Sequence, residues 1–142
     1  MNLEQAISIA SLAHEGQLDK GGEPYILHPL RVMMHFKDER QRIVAVLHDV
    51  IEDTDITIQD LSDQGLSYEL IKIILTLTRR EDESYDEYLN RICYSRFAIK
   101  VKLADLEDNM DMSRIKNPTE KDCQRLAKYS IARSILTDIL LG

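Results

Sequence analysis

The sequence is poor in the two residues that most often build tight turns. It contains five glycines and three prolines in 142 residues, which argues against a β-sandwich, a fold of many short strands joined by turns. No apolar run approaches the roughly 18–20 residues that a membrane-spanning helix needs. The first residues also lack the basic and apolar regions of a secretory signal. We therefore expect neither a membrane span nor a secretion signal.

Cysteine is scarce as well, with only Cys93 and Cys123 in the chain. The two residues lie far apart in sequence, and neither has the CxxC partner of a typical zinc or redox motif. A disulfide framework is therefore not expected. Free thiols in a reducing cytoplasm are the interpretation that this usage favours.

Positive charge is in deficit, because 25 acidic residues outnumber 18 basic ones and give a formal net charge of −7. Such a chain repels polyanions, which argues against nonspecific binding of nucleic acid. One small anionic ligand, held by a metal ion and a few local cations, is still compatible with this charge. We expect a small-molecule partner, and the sequence leaves the oligomeric state open.

What the sequence does contain is helical periodicity in nearly every segment. Its length is typical of one domain, and 44% hydrophobic with 30% charged residues is the composition of a globular protein. Start signals include two capping-box patterns and, before the last helix, Asn117 followed by Pro118. The prediction is an all-α fold, a single compact helical bundle over residues 1–142, with helices at 2–14, 27–36, 40–52, 57–65, 67–79, 84–94, 97–109 and from 117 onward.

Four potential metal ligands stand in three separate segments. His28 lies in YILHP, the doublet His48-Asp49 in AVLHDVIEDT and Asp105 in VKLADLEDN. Neighbours on a helix point about 100° apart, so the doublet can share an ion only if the ion lies between the two directions. Two imidazoles and two carboxylates suit octahedral Mn²⁺ or Fe²⁺ better than structural zinc. Such a set leaves positions for water and a phosphate oxygen, as metal-assisted hydrolysis requires.

Each of these residues also has a structural interpretation. A lone histidine at a helix start, such as His28, is usually structural. The doublet in an otherwise apolar helix is harder to explain that way, because burying two ionisable groups costs on the order of several kcal/mol unless they pair or bind metal. Asp105, in its apolar setting, raises the same difficulty. Taken together, the four residues favour a metal site.

Glu52 and Asp53 follow the doublet by one helical turn, four positions after His48 and Asp49 respectively. This placement suits carboxylates that orient or deprotonate a water molecule and pass its proton to a leaving group. The alternative is a solvent-exposed acidic helix end. Carboxylates at a helix C-terminus oppose the helix dipole, however, with no evident structural benefit.

Other conspicuous residues have ordinary interpretations. A cationic rim for phosphates is one interpretation of four basic residues, but solvated surface charge is the usual role of Arg79, Arg80, Lys100 and Lys102. Three tyrosines at roughly helical spacing are expected to pack rather than to stack on a base, namely Tyr85, Tyr88 and Tyr94.

Four strings in order resemble the hydrolase domain of RelA/SpoT-type alarmone enzymes, a branch of the HD superfamily of phosphohydrolases. They are GGEPYILHP, AVLHDVIEDT, the tripeptide Leu77-Thr78-Arg79 and VKLADLEDN, and they cover roughly two-thirds of the chain, from about His14 to Asn109. The resemblance implies an HD-type, metal-dependent domain in the cytoplasm. It also implies hydrolysis of the 3′-pyrophosphate of ppGpp or pppGpp, the nucleotides of the stringent response, to GDP or GTP and pyrophosphate.

The same resemblance implies a role for each candidate residue. The ion would be Mn²⁺, or another divalent metal, on His28, His48, Asp49 and Asp105. The catalytic acidic pair would be Glu52 and Asp53. Contacts to the nucleotide would come from a basic loop residue, a pocket wall and a ribose- or phosphate-binding amide, which are Lys20, Tyr25 and Asn109.

The sequence departs from the family pattern at two places. The family loop presents an arginine before the lysine, suited to stacking on guanine, whereas this chain has Asp19. After Asp105 the family commonly reads Arg-Leu-His-Asn-Met-Arg-Thr, and here the run is LEDNMDM, with acidic Asp108 and Asp111. These changes leave the metal and catalytic residues intact but alter base recognition. Two alternatives therefore stay open: an HD phosphohydrolase for another nucleotide or phosphoester, and a nucleotide-binding module without catalysis.

Overall fold

The computed structural model describes residues 1–142 and is built from helices. It has nine α-helices, α1 to α9, and a short 3-10 helix at Met112–Arg114; no strands form, apart from one isolated bridge between Leu18 and Pro24. The all-α prediction is confirmed. In chain order the helices are Leu3–Ala13, Leu27–Met33, Glu39–Leu47, Val50–Asp53, Ile58–Asp63, Tyr68–Thr76, Tyr85–Ile92, Arg96–Asn109 and Glu120–Leu141.

The predicted helix over residues 40–52 is interrupted at the His48-Asp49 doublet. Helix α3 ends at Leu47 and α4 begins at Val50. The His48 ring donates from Nδ1 to the Ala45 carbonyl at 2.6 Å, and this carbonyl is the one that the Asp49 amide would use in a continuous helix. The prediction of an unbroken helix is therefore wrong, and the interruption frees the two side chains from strict helical spacing.

The last helix begins two residues later than predicted. Its N-cap is Thr119, whose hydroxyl accepts from the Asp122 amide at 3.2 Å, while the Asp122 carboxylate accepts from the Thr119 amide at 2.8 Å. This reciprocal pair satisfies two backbone donors at once. Asn117 offers no such pair, so its prediction as N-cap is wrong.

One cluster of 26 buried apolar residues forms the core. Its centre is α3, in which every residue from 43 to 47 is buried. Helices α2, α3 and α8 pack against one another, and α9 packs on α8. The mutual contact of α2, α3 and α8 brings His28, the His48-Asp49 doublet and Asp105 to one place. No helix is both long and apolar enough to span a membrane.

Candidate active site

The four residues predicted as metal ligands lie together. Each offers one ligand atom, and these atoms all fall within 4.8 Å of one another. Asp105 Oδ1 is 2.8 Å from His28 Nε2 and 3.2 Å from His48 Nε2. Asp49 completes the group, with Oδ1 at 3.1 Å from His48 Nε2 and Oδ2 at 3.7 Å from His28 Nε2. We call His28, His48, Asp49 and Asp105 the four-ligand cluster.

The orientation of both histidine rings fits a metal ion. Each ring uses Nδ1 for a partner outside the cluster: His48 donates to the Ala45 carbonyl, and His28 bonds Asp108 Oδ2 at 2.7 Å. A neutral imidazole that donates from Nδ1 carries its lone pair on Nε2, the atom that faces the cluster. Two such nitrogens with two carboxylates form a four-donor set for a divalent cation.

Electrostatics show how the buried charges balance when protons occupy the site. Burial disfavours the charged form of His28, but hydrogen bonds to Asp105 and Asp108 raise its pKa to about 9. Burial opposes ionisation of Asp105 too, yet Lys102 and His48 hold the pKa of that carboxyl well below its usual range. A cation that binds deprotonated imidazoles releases such protons, so cation binding and proton binding compete here.

Asp108 is a supporting residue that the sequence interpretation missed. It is buried, bonds His28 Nδ1 and receives a forked contact from Arg31, with Nε–Oδ1 at 2.6 Å and Nη2–Oδ2 at 3.1 Å. Carboxylates in this position fix the ring orientation of metal-binding histidines. Its spacing of three residues from Asp105 on α8 places both on one helix face, a signal that was present in the sequence.

Asp105 also has supporting partners. Buried Lys102 donates from Nζ to Asp105 Oδ2 at 2.8 Å, and Asn109 donates from Nδ2 to Asp105 Oδ1 at 3.2 Å. Lys102 therefore points inward, not into solvent as its residue type suggested. Asn109, predicted to contact substrate, holds a cluster carboxylate while also lining the adjoining cavity.

Tyr25 contacts the cluster directly. Its hydroxyl donates to Asp49 Oδ2 at 2.5 Å. Burial and then the neighbouring Asp49 charge raise the pKa of this hydroxyl far above its ordinary value, so it acts as a fixed donor. The ring also forms part of the cavity wall.

The acidic pair Glu52 and Asp53 lies on α4, just after the doublet, and is exposed. Glu52 Oε1 accepts from the Arg79 amide at 2.7 Å, which fixes its carboxylate. Partial desolvation, followed by repulsion from Asp49 and Glu52, raises the pKa of Asp53 to about 6. Neither carboxylate hydrogen-bonds the four-ligand cluster, so Glu52 Oε2 and both Asp53 oxygens are left available.

A cavity of about 310 Å³ opens beside His28 and Tyr25. Its wall includes Lys20, predicted as a substrate contact, and the loop that carries Asp19. Asp19 Oδ1 accepts from the amides of Gly21 and Glu23, both at 2.9 Å, so this carboxylate shapes the loop. A β-carbon on Gly21 would lie 2.6 Å from the Arg114 carbonyl oxygen, which explains why glycine occupies that position.

A helical bundle that gathers a His-Asp doublet, a second histidine and a second aspartate in its core has the HD type of fold and site. No model of a known protein family matches the chain. Several individual proteins do match it in sequence. The chain is 32% identical to the guanosine-3′,5′-bis(diphosphate) 3′-pyrophosphohydrolase of Vibrio cholerae, over 91% of this chain and 20% of that protein. It is 36% identical to the bifunctional (p)ppGpp synthase/hydrolase SpoT of Escherichia coli, over 76% of this chain and 17% of that protein.

A solved structure extends this similarity to the whole fold. It is described as a metazoan ortholog of SpoT that hydrolyzes ppGpp and plays a role in starvation responses; the TM-score is 0.80 at 24% identity, over 99% of this chain and 85% of that one. The chain spans about a fifth of the length of the curated relatives that it matches. By sequence the chain is a homologue of one part of these proteins, which is consistent with an HD-type RelA/SpoT hydrolase domain.

Proposed function

We propose that residues 1–142 form one HD-type domain that hydrolyses the 3′-pyrophosphate of ppGpp or pppGpp in the cytoplasm. The observation that carries this proposal is the convergence of two imidazoles and two carboxylates within 4.8 Å, beside a cavity of about 310 Å³. The names of the curated relatives support the choice of substrate. The unpaired thiols of Cys93 and Cys123 are consistent with a reducing compartment.

In this proposal the four-ligand cluster holds one divalent ion. Two nitrogen and two oxygen donors favour Mn²⁺ over structural zinc, and another divalent metal of similar preference would also fit. When bound, the ion supplies polarisation of the phosphate and makes water more acidic. Asp108, Lys102 and Tyr25 hold the ligand side chains in place through the contacts described above.

The acidic pair carries the proton transfers. A water oxygen adds to the phosphorus bonded to the ribose O3′, the P–O3′ bond breaks, and O3′ takes up a proton. Asp53 and Glu52 lie one turn beyond the doublet and have free carboxylate oxygens, so we assign them to accept the proton of the water and deliver one to O3′. The products are GDP or GTP and pyrophosphate.

The cavity beside the cluster is the proposed nucleotide site. Tyr25, Asn109 and Lys20 line it together with His28. Lys20 is exposed and forms no ion pair, so its ammonium group is free to contact a phosphate or the base.

One observation favours a different nucleotide. The carboxylate of Asp19 stands where the family pattern has an arginine suited to stacking on guanine, and both Asp111 and Asp122 also line the cavity. A carboxylate cannot stack on a base as a guanidinium does, so guanine would lose the contact that the family pattern implies. A phosphohydrolase acting on another nucleotide is therefore the second candidate, and a binding module without catalysis is the third.

A single assay separates these candidates. Purified protein with Mn²⁺ is offered ppGpp, its adenine analogue and a nucleoside monophosphate, and pyrophosphate and orthophosphate are measured separately. We expect pyrophosphate from ppGpp, and none from the matched variant Asp105→Asn. Turnover of another substrate alone would favour the second candidate. Tight nucleotide binding by metal-loaded protein without any turnover would favour the third.

A further inference from the structure

Two cations share one aromatic ring at the edge of the site. Lys128 Nζ, from α9, lies 3.9 Å from the centroid of the Tyr85 ring, and Arg79 Cζ lies 5.8 Å from the same centroid. Both side chains are exposed. We call them the Arg79–Lys128 pair. They come from segments nearly fifty residues apart, so no sequence motif joins them.

The pair lacks a salt-bridge partner, although the nearby Asp86 charge acts to raise the pKa of Lys128. Neither residue forms a salt bridge, and the Arg79 side chain donates only from Nε, to the Glu83 carbonyl at 3.1 Å. Desolvation, and then repulsion by Arg79 and Lys102, lowers the pKa of Lys128. Two like charges held together without a salt-bridged counter-ion, in a chain of net charge −7, form a place for an anion.

A buried polar group lies beneath the pair. The hydroxyl oxygen of Tyr85 is inaccessible and has no hydrogen-bond partner in the protein. Lys102, Asp105 and Arg79 are among the charges that act on this hydroxyl. A buried donor without a partner is unfavourable, and a polar ligand atom that reached this hydroxyl would remove that cost.

The pair adjoins the reacting groups on two sides. The Arg79 amide holds Glu52 of the acidic pair at 2.7 Å. The Tyr88 ring neighbours Tyr85, and Lys102 Nζ lies 5.2 Å from the centroid of the Tyr88 ring. The same Nζ donates to Asp105 of the four-ligand cluster. Tyr129, the residue after Lys128, lines the nucleotide cavity. An anion on the pair would therefore lie at the edge of the cluster, next to Glu52.

We propose that the Arg79–Lys128 pair binds the outer phosphate of the substrate's 3′-diphosphate and then the departing pyrophosphate. This inference rests on the proposed function and adds a subsite for the second phosphate. The inner phosphorus, bonded to O3′, reacts at the four-ligand cluster. No covalent bond to the outer phosphorus forms or breaks in this reaction. The pair therefore contributes binding and orientation, not proton transfer.

Binding of inorganic pyrophosphate to the Mn²⁺-loaded protein tests this subsite without any turnover. Arg79→Met keeps the backbone amide that holds Glu52, and Lys128→Met keeps the apolar stem over Tyr85. Because hydrogen bonds to charged groups are worth about 1.5–3 kcal/mol, each change should weaken pyrophosphate binding roughly tenfold or more by titration calorimetry. Orthophosphate, which occupies only the cluster, should bind within about twofold of wild type.

Lys72 provides a matched control, since its Nζ stacks over Tyr68 at 5.4 Å on α6 without a second cation on that ring. Lys72→Met should leave pyrophosphate affinity unchanged, and all three variants should keep wild-type Mn²⁺ affinity. The inference is overturned if Arg79→Met and Lys128→Met bind pyrophosphate as wild type does, or if orthophosphate binding falls equally.

The outcome is separate from that of the hydrolysis assay. If the wild-type protein leaves ppGpp intact but both variants lose affinity for pyrophosphate, the proposed reaction is refuted and the subsite is kept. Protein that releases pyrophosphate from ppGpp, while both variants bind pyrophosphate normally, would refute the subsite and keep the reaction.

Discussion

The role of a charged residue in this protein depends on where its side chain lies. Asp108 and Asp111 are both departures from the basic and polar family pattern, yet they occupy different environments. Asp108 is buried between His28 and Arg31, whereas Asp111 is exposed and pairs with Arg114. From sequence both were expected to affect base recognition. For Asp108, the geometry instead supports a role in orienting a metal-binding ring.

Replacing Asp108 by alanine tests that role. The change removes the acceptor for His28 Nδ1 and leaves Arg31 unpaired, so the ring can rotate or change tautomer. Loss of such a supporting carboxylate typically lowers metal affinity about 10–100-fold, and we expect this in Mn²⁺ titration calorimetry. Asp111→Ala is the matched control and should bind Mn²⁺ as wild type does. Equal affinities for the two variants would contradict the assignment.

Glu52 and Asp53 give a second prediction at this scale. If they transfer protons and do not hold the ion, Glu52→Gln and Asp53→Asn should each lower kcat by roughly 10²–10⁴. Mn²⁺ affinity should stay within about twofold of wild type, because neither carboxylate hydrogen-bonds the four-ligand cluster. A parallel loss of Mn²⁺ affinity would assign the pair to ion binding and reject the catalytic role.

At the scale of the helices, the sequence predicts well which segments are helical. It predicts less well the residues at which each helix begins and ends. Apolar spacing and capping boxes identified nearly every helix. The interruption at His48-Asp49 was not predicted because it depends on a side-chain hydrogen bond to Ala45 that periodicity does not reveal. The start of α9 was misplaced because Asn117-Pro118 is a strong local signal, while the Thr119–Asp122 capping box stabilises the helix.

The two candidate caps of α9 can be compared directly. Thr119→Ala removes the hydroxyl that accepts from the Asp122 amide, and loss of an N-cap typically costs about 1 kcal/mol of unfolding free energy. Asn117→Ala, outside the helix, should change stability by less than about 0.5 kcal/mol. Urea denaturation of both variants measures the difference. Equal effects, or a larger one at Asn117, would reject Thr119 as the cap.

The connection between α6 and α7 yields a pH prediction. A hydrogen bond from Arg91, at 2.5 Å to Oε2, lowers the pKa of buried Glu83 from 4.5 to about 2. The charged form therefore stabilises the fold at pH values above the ordinary pKa, and this contribution is lost as pH falls toward the folded-state value. Wild type should lose more stability than Glu83→Gln between about pH 5 and about pH 2 in denaturation experiments. Parallel stability curves for the two proteins would contradict this.

At the scale of the whole molecule, the fold brings together residues that the sequence marked only as unusual. His28, the doublet and Asp105 could be singled out because ionisable groups in apolar segments need a reason to be there. Their convergence depends on the packing of α2, α3 and α8, and the Arg79–Lys128 pair joins the segment after α6 to α9 across Tyr85 of α7. The pair leaves no periodic signal in a single sequence, whereas Lys102 and Asp108 each stand three positions from Asp105 on α8, a spacing that the sequence does show.

The most direct test of the account is the position of the ion. Crystals grown with Mn²⁺ and measured for anomalous scattering should show one peak between His28 Nε2, His48 Nε2, Asp49 and Asp105, at about 2.0–2.3 Å from each ligand atom. A single site by calorimetry should accompany it. Absence of the peak at this position in Mn²⁺-saturated crystals, with Asp105 still bonded to both histidines, would contradict the claim that these side chains form a metal centre.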